Sequence, residues 1–212
     1  MRSDKIFGLG NSEGTLHVLH YQRDHPGVPL AGLILAGPPG RAVGAVARSQ
    51  LAAQAADFPN GSELLAWYDA AIKRFEAGEA AQPDRALPDA VKTFIAGLEF
   101  PANLPFSREL WTANAAPLLA KITGPVLVVI GKKDIQVDWQ TDGEPLAAAS
   151  RGKPNIRFAY PANANHVLKY ESQDREQLRM EEVLPRYNAD DARLDSEALG
   201  VILTWLSRQV SP

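Results

Sequence analysis

Ser12 lies within Gly10-Asn11-Ser12-Glu13-Gly14, a Gly-x-Ser-x-Gly pattern. A short apolar run, residues 6–9, precedes it, and a helix-compatible segment follows at once. That context is what the pattern needs to expose a serine hydroxyl at a sharp strand-to-helix turn. Gly10 and Gly14 lack Cβ, which lets strand and helix approach closely, and the hydroxyl then sits near the positive end of the helix dipole. The bland alternative is a Gly-rich turn with a surface serine. A serine hydroxyl is a poor nucleophile at neutral pH; it needs a base within hydrogen-bond reach, and the base needs an orienting acid. The backbone N–H of Glu13, directly after the serine, is the candidate donor to an oxyanion.

Four histidines compete for the base. His17 and His20 fall on the sides of the helix after Ser12 and read as packing or surface residues. His25 belongs to the turn Asp24-His25-Pro26-Gly27 and reads as solvated. His166 follows the last expected strand by six residues, in a loop of small and polar side chains, Ala162-Asn163-Ala164-Asn165. Loops at the carboxyl ends of parallel strands gather on one edge of the sheet, where α/β sites form, and Ser12 belongs to that edge. The acid should come from another such loop. Asp134 stands four residues past Ile130 at the end of the strongest strand, so the sheet fixes its position best; Asp138 and Asp142 are its competitors, and Gly131-Lys132-Lys133-Asp134 also suits a plain turn.

Four apolar segments read as the strands behind these loops. They are residues 6–9, 30–36, 125–130 and 155–160. The second and third are apolar without alternation, as in a parallel sheet covered on both faces. Between the second and third, the chain is nearly all helix. Ser62 is a candidate cap for a helix with Leu65, Tyr68, Ile72 and Phe75 at helical spacing, Pro88 sits at a first helical position, and Pro117 disturbs a helix over 107–121. Trp67, Tyr68, Phe75, Phe94, Phe100 and Trp111 either line a pocket for a substrate or, more simply, form the core of this helical part. Residues 170–193 are strongly charged and read as a surface excursion. Leu199, Ile202, Leu203 and Leu206 mark an amphipathic closing helix.

The 212 residues are 45% hydrophobic and 22% charged, with a net charge of −3, which fits a globular protein with a full core. No basic block suggests nucleic-acid binding, and no apolar run reaches the ~18 residues of a membrane span. Without cysteine there are no disulfides, thiolate metal sites or thiol nucleophiles. No metal or cofactor is expected. No signal peptide is visible, which leaves the compartment open, with the cytoplasm as default.

Ser12, Asp134 and His166 occur in the order Ser, Asp, His, each just after an expected parallel strand, the order given for α/β-hydrolases. On these residues, with the turn Gly131-Lys132-Lys133-Asp134 and the pair Asn165-His166, the chain resembles the carboxyl-terminal part of an α/β-hydrolase superfamily serine esterase or lipase-like protein. The resemblance implies a partial α/β-hydrolase fold: about four parallel strands flanked by helices, with residues 1–40 and 122–212 as core and 41–121 as a helical cap between the second and third strands. It implies cleavage of a carboxylic ester through an acyl-enzyme. Thioester, peptide or lactone substrates, and a truncated non-catalytic chain, are the alternatives. The family's elbow strand is normally central, whereas here its turn comes at residue 10. The first strand is therefore expected to be an edge, met by a second copy, met by a partner chain, or covered by the residues before Ile6 and the 170–193 excursion. The loop 37–40 is the expected internal source of a second oxyanion donor.

Overall fold

The computed structural model describes residues 5–210. In chain order the elements are β1 (Phe7–Asn11), α1 (Glu13–Asp24), β2 (Gly32–Ala36), α2 (Val43–Ala55), α3 (Gly61–Glu76), α4 (Asp89–Leu98), α5 (Leu104–Thr112), α6 (Ala115–Leu119), β3 (Val126–Val129), α7 (Gly143–Ala149), β4 (Ile156–Ala159), α8 (Met180–Arg186) and α9 (Ser196–Val210), with a 3-10 turn at Arg175–Gln177. The chain divides into two compact units, one of residues 1–41 and 114–212, the other of residues 42–113.

The first unit holds a single sheet of order β1-β2-β3-β4, with every neighbouring pair parallel. All of β2 and β3 is buried, as their unbroken apolar sequences require. Helices cover both faces. Trp205 of α9 meets the face of Gly32: a Cβ there would lie 2.7 Å from Cη2 of the indole. The same ring stands edge-on to Phe7 at 5.9 Å, and Ala198 and Trp205 join Ile34, Ala36, Leu127 and Val129 in one core cluster. Val18 of α1 lies against Gly8 on the opposite face, where Leu33 also points. Of the closing helix's expected stripe, Ile202 and Leu206 pack against the cluster of Trp205. Leu199 and Leu203 are exposed, while Ala198 and Trp205 are buried.

Among the described residues the sheet ends at β1, which pairs only with β2. Its Leu9 is 59% exposed. The excursion 170–193 makes polar contacts with Lys133, Asp134, Gln136 and Asp138, beside the opposite strands. Of the residues before Ile6, Lys5 donates to Gln209 O at the end of α9; the others lie outside the described residues. Among the described residues no helix is long and apolar enough to cross a membrane.

The second unit is α2 to α5 around Leu64, Tyr68, Ile72, Phe75, Ile95 and Trp111. Tyr68, Phe75 and Trp111 are core here, whereas Phe94 and Phe100 are exposed. α3 begins at Gly61 with Asn60 in the capping position, so Ser62 lies inside the helix and does not cap it. Residues 107–121 are not one disturbed helix. The chain breaks between α5 and α6, where Asn114 Oδ1 accepts from the N–H of Ala116, and Pro117 falls in the first turn of the new helix. Proline costs little there because the first-turn N–H groups have no intrahelical acceptor.

Candidate active site

Ser12 stands between the last residue of β1 and the first of α1 with φ 52° and ψ −124°, a left-handed conformation that serine adopts only under constraint. Three contacts impose it. The Ser12 N–H donates to Ala36 O at 2.8 Å, and the Ser12 carbonyl accepts from both the N–H and the hydroxyl of Thr15, at 3.0 and 2.6 Å. Strand and helix meet so tightly that a Cβ on Gly10 would lie 2.3 Å from Gly14 O. Gly14 differs from the expectation: a Cβ there would find nothing within 4 Å. The close approach needs the glycine of the strand, not that of the helix.

Asp134 and His166 come from the loops after β3 and β4. Backbone bonds zip these loops together: Lys132 N–H to Pro161 O at 2.9 Å and Lys133 N–H to Ala164 O at 3.1 Å. A Cβ on Gly131 would lie 2.0 Å from Ala164 O, so only glycine lets the loops come so near. Asp134 is fully buried and fully engaged. Its Oδ1 accepts from the N–H groups of Gln136 and Val137 at 2.8 and 2.9 Å, and its Oδ2 meets His166 Nδ1 at 2.8 Å. Opposite an ionised carboxylate, which only accepts, a neutral imidazole carries its proton on Nδ1 and presents Nε2 as the acceptor. Gly37, at φ +55°, lies against the ring: a Cβ there would be 3.1 Å from Nδ1. Asn165 folds the loop, its Oδ1 accepting from the N–H groups of Val167 and Lys169.

The competing carboxylates do other work. Asp138 caps its own turn through Gln140 and Thr141 and meets Arg175 at 2.7 Å. Burial alone would raise its pKa, but the Thr141 hydrogen bonds and the Arg175 guanidinium outweigh that and hold the carboxyl below its ordinary value. Asp142, fully buried, accepts from Arg41 Nε and Nη2 at 3.1 and 2.9 Å and pins the loop after β2 to the loop after β3. The remaining histidines are on α1 and its end. His17 faces Glu13 at 3.1 Å. His25 is more than a solvated turn residue: its N–H caps α1 through Tyr21 O, and its ring stacks on Tyr21 at 4.5 Å.

Among the described residues no hydrogen bond joins the Ser12 hydroxyl to His166. Such bonds are often long without substrate and tighten only when it binds. The N–H of Glu13, at the first position of α1, has no intrahelical acceptor. The loop 37–40 offers fewer donors than its position suggests. The Gly37 N–H is committed to Val129 O at 2.8 Å, and Pro38 and Pro39 have none, leaving the N–H of Gly40.

Ser12, Asp134 and His166 thus follow three of four parallel strands, in that chain order, at the carboxyl edge of one sheet. The chain has an α/β fold, four parallel strands in one sheet flanked by helices. No family model and no curated protein matches the sequence. Its structure is similar to several solved structures. The thermophilic esterase of Thermogutta terrifontis is similar over 98% of this chain and 66% of its own, with 18% identity and a TM-score of 0.47. The esterase Pf2001 of Pyrococcus furiosus is similar over 98% of this chain and 54% of its own, with 18% identity and a TM-score of 0.46. Est816, described as an N-acyl homoserine lactone degrading enzyme, is similar over 77% of this chain and 60% of its own, with 19% identity and a TM-score of 0.38. This chain spans about half to two thirds of the length of these proteins.

Asn11, Gly37 and the Arg41–Asp142 pair escaped the sequence reading. A glycine just past β2 could have pointed to a crowded carboxyl edge. The other three had no local signal, since their partners lie at least 25 residues away in sequence.

Proposed function

We propose that this chain is a serine hydrolase that cleaves a carboxylic ester through an acyl-enzyme on Ser12. Ser12 Oγ attacks the acyl carbon as its proton passes to His166 Nε2. The negative charge gathers on the former carbonyl oxygen, toward the N–H of Glu13. The intermediate collapses, the alcohol leaves with the proton from His166, and the acyl group stays on Ser12. His166 then takes a proton from water, whose oxygen attacks the acyl carbon; the acid departs and the proton returns to Ser12. Asp134 accepts from Nδ1 throughout, which orients the ring and stabilises the imidazolium. The helical unit between β2 and β3 takes the part of a cap in this reading. The observation that carries the proposal is the buried 2.8 Å contact of Asp134 Oδ2 with His166 Nδ1, in a loop pair set beside a serine held at positive φ.

A second reading, a hydrolase-shaped chain without turnover, is favoured by the scarcity of oxyanion donors in the loop 37–40. Hydrolysis of p-nitrophenyl acetate separates the two, with thioester and lactone substrates assayed beside it. The hydrolase reading expects turnover that Ser12→Ala abolishes and that Asp134→Asn lowers by about 10⁴-fold in kcat, because the amide imposes the wrong tautomer on His166. Turnover that survives Ser12→Ala contradicts it.

A further inference from the structure

Asn11 occupies the position directly before the serine, where the Gly-x-Ser-x-Gly pattern admits any residue. Its side-chain amide donates to two backbone carbonyls, Ala36 O at 3.2 Å and His166 O at 2.8 Å. Ala36 O is also the acceptor of the Ser12 N–H. One carboxamide therefore binds together the end of β2, the serine turn and the main chain of the histidine itself, across 155 residues of sequence. Asp134 acts on a different part of His166. Its bond to Nδ1 sets the ring's tautomer and rotation, but it does not tie the loop to the serine. The loop is a strained one, with Leu168 at φ 59° two residues on.

Proton transfer demands that Oγ and Nε2 come within about 3 Å. A misplacement of ~1 Å costs on the order of 10²-fold in rate. We propose that Asn11 is a positioning residue: through the His166 carbonyl it sets the distance of the imidazole from Ser12. The proposal rests on the reading of Ser12 and His166 as the reacting pair. Its chemistry is specific to a donor of this length. Aspartate in this place keeps the shape but turns a carboxylate oxygen toward two carbonyl oxygens, and serine is too short to reach His166.

The test uses Asn11→Ala, Asn11→Asp and Asn11→Ser in the full chain. Three quantities are read: kcat and KM for p-nitrophenyl acetate, the rate at which a fluorophosphonate modifies Ser12, and the 1H–15N NMR signals of the His166 ring, assigned by their loss in His166→Ala. Asn11→Ala and Asn11→Asp are expected to lower kcat and the phosphonylation rate by about 10- to 100-fold while KM stays within about twofold. The ring signals are expected to broaden or double as the loop gains alternative positions. Asn11→Ser, which retains a donor beside Ala36 O, serves if Asn11→Ala fails to fold, and it is expected to show the same losses. Rates within twofold of the parent in the Asp and Ser variants overturn the proposal. So do unchanged ring signals, even if the chain shows no turnover. Activity that persists in Ser12→Ala would instead refute the hydrolase reading, and the ring signals would still decide the role of Asn11.

Discussion

Ser12 is held in a backbone conformation that glycine would accept freely. Residues kept in such sparsely populated regions cost of order 1–3 kcal/mol, and the surrounding contacts must outweigh that cost. Here the Ala36 and Thr15 bonds do so. Ser12→Gly should therefore raise the free energy of unfolding by about 1 kcal/mol relative to Ser12→Ala, after subtracting roughly 0.5–1 kcal/mol for the greater chain entropy of glycine. Urea denaturation of the two variants measures the difference. Equal stabilities, or a less stable glycine variant, would mean that the turn is not strained. Asp134 was singled out in the sequence because it follows the strongest apolar strand at a short distance, and His166 because it follows the last segment that reads as a strand, although β4 itself buries only Ile156. Asn11 was not legible, because its acceptors are main-chain carbonyls that carry no residue-type signal.

At the scale of elements, the contact between β1 and α1 depends on one missing side chain. A Cβ at Gly10 would lie 2.3 Å from Gly14 O and 2.6 Å from Thr15 N, and both atoms are backbone, so strand and helix would have to separate. Gly10→Ala is expected to destabilise by about 2–3 kcal/mol, at the upper end of overpacking effects. Gly14→Ala, with open space around its Cβ and a helical position, is expected to stabilise by up to about 1 kcal/mol. Opposite signs in chemical denaturation support this account; a tolerated Gly10→Ala contradicts it. The sequence announced both glycines equally, since the pattern treats them alike, and only the packing separates them. The same limit explains α9. Four apolar positions at helical spacing marked a buried stripe; Ile202 and Leu206 do pack against the core, but the inward side is centred where Trp205 fits over Gly32, and Leu199 and Leu203 are left outside.

For the molecule as a whole, the sheet is deeply buried at β2 and β3, and among the described residues β1 is its unpaired edge. The edge was foreseeable because the turn of Ser12 comes so early in the chain that β1 finds a neighbour on one side, β2. What the charged 170–193 excursion covers was not, because ion pairs such as Arg175 with Asp138 choose their partners in three dimensions. Amides that point outward from β1 should exchange with deuterium much faster than those of β2 and β3, because exchange there requires no opening of the ladder. Mass-spectrometric exchange of the intact chain reads this directly. Protection of β1 equal to that of β3 would show that another strand pairs with the edge in solution.

The most direct measurement of the central claim is covalent. The purified chain is treated with a fluorophosphonate, and the modified residue is located by peptide mass spectrometry. The account predicts one phosphonyl adduct, on Ser12, that is absent from Ser12→Ala and slowed in His166→Ala. An unmodified Ser12 in the folded chain, or an adduct on a different serine, would contradict it.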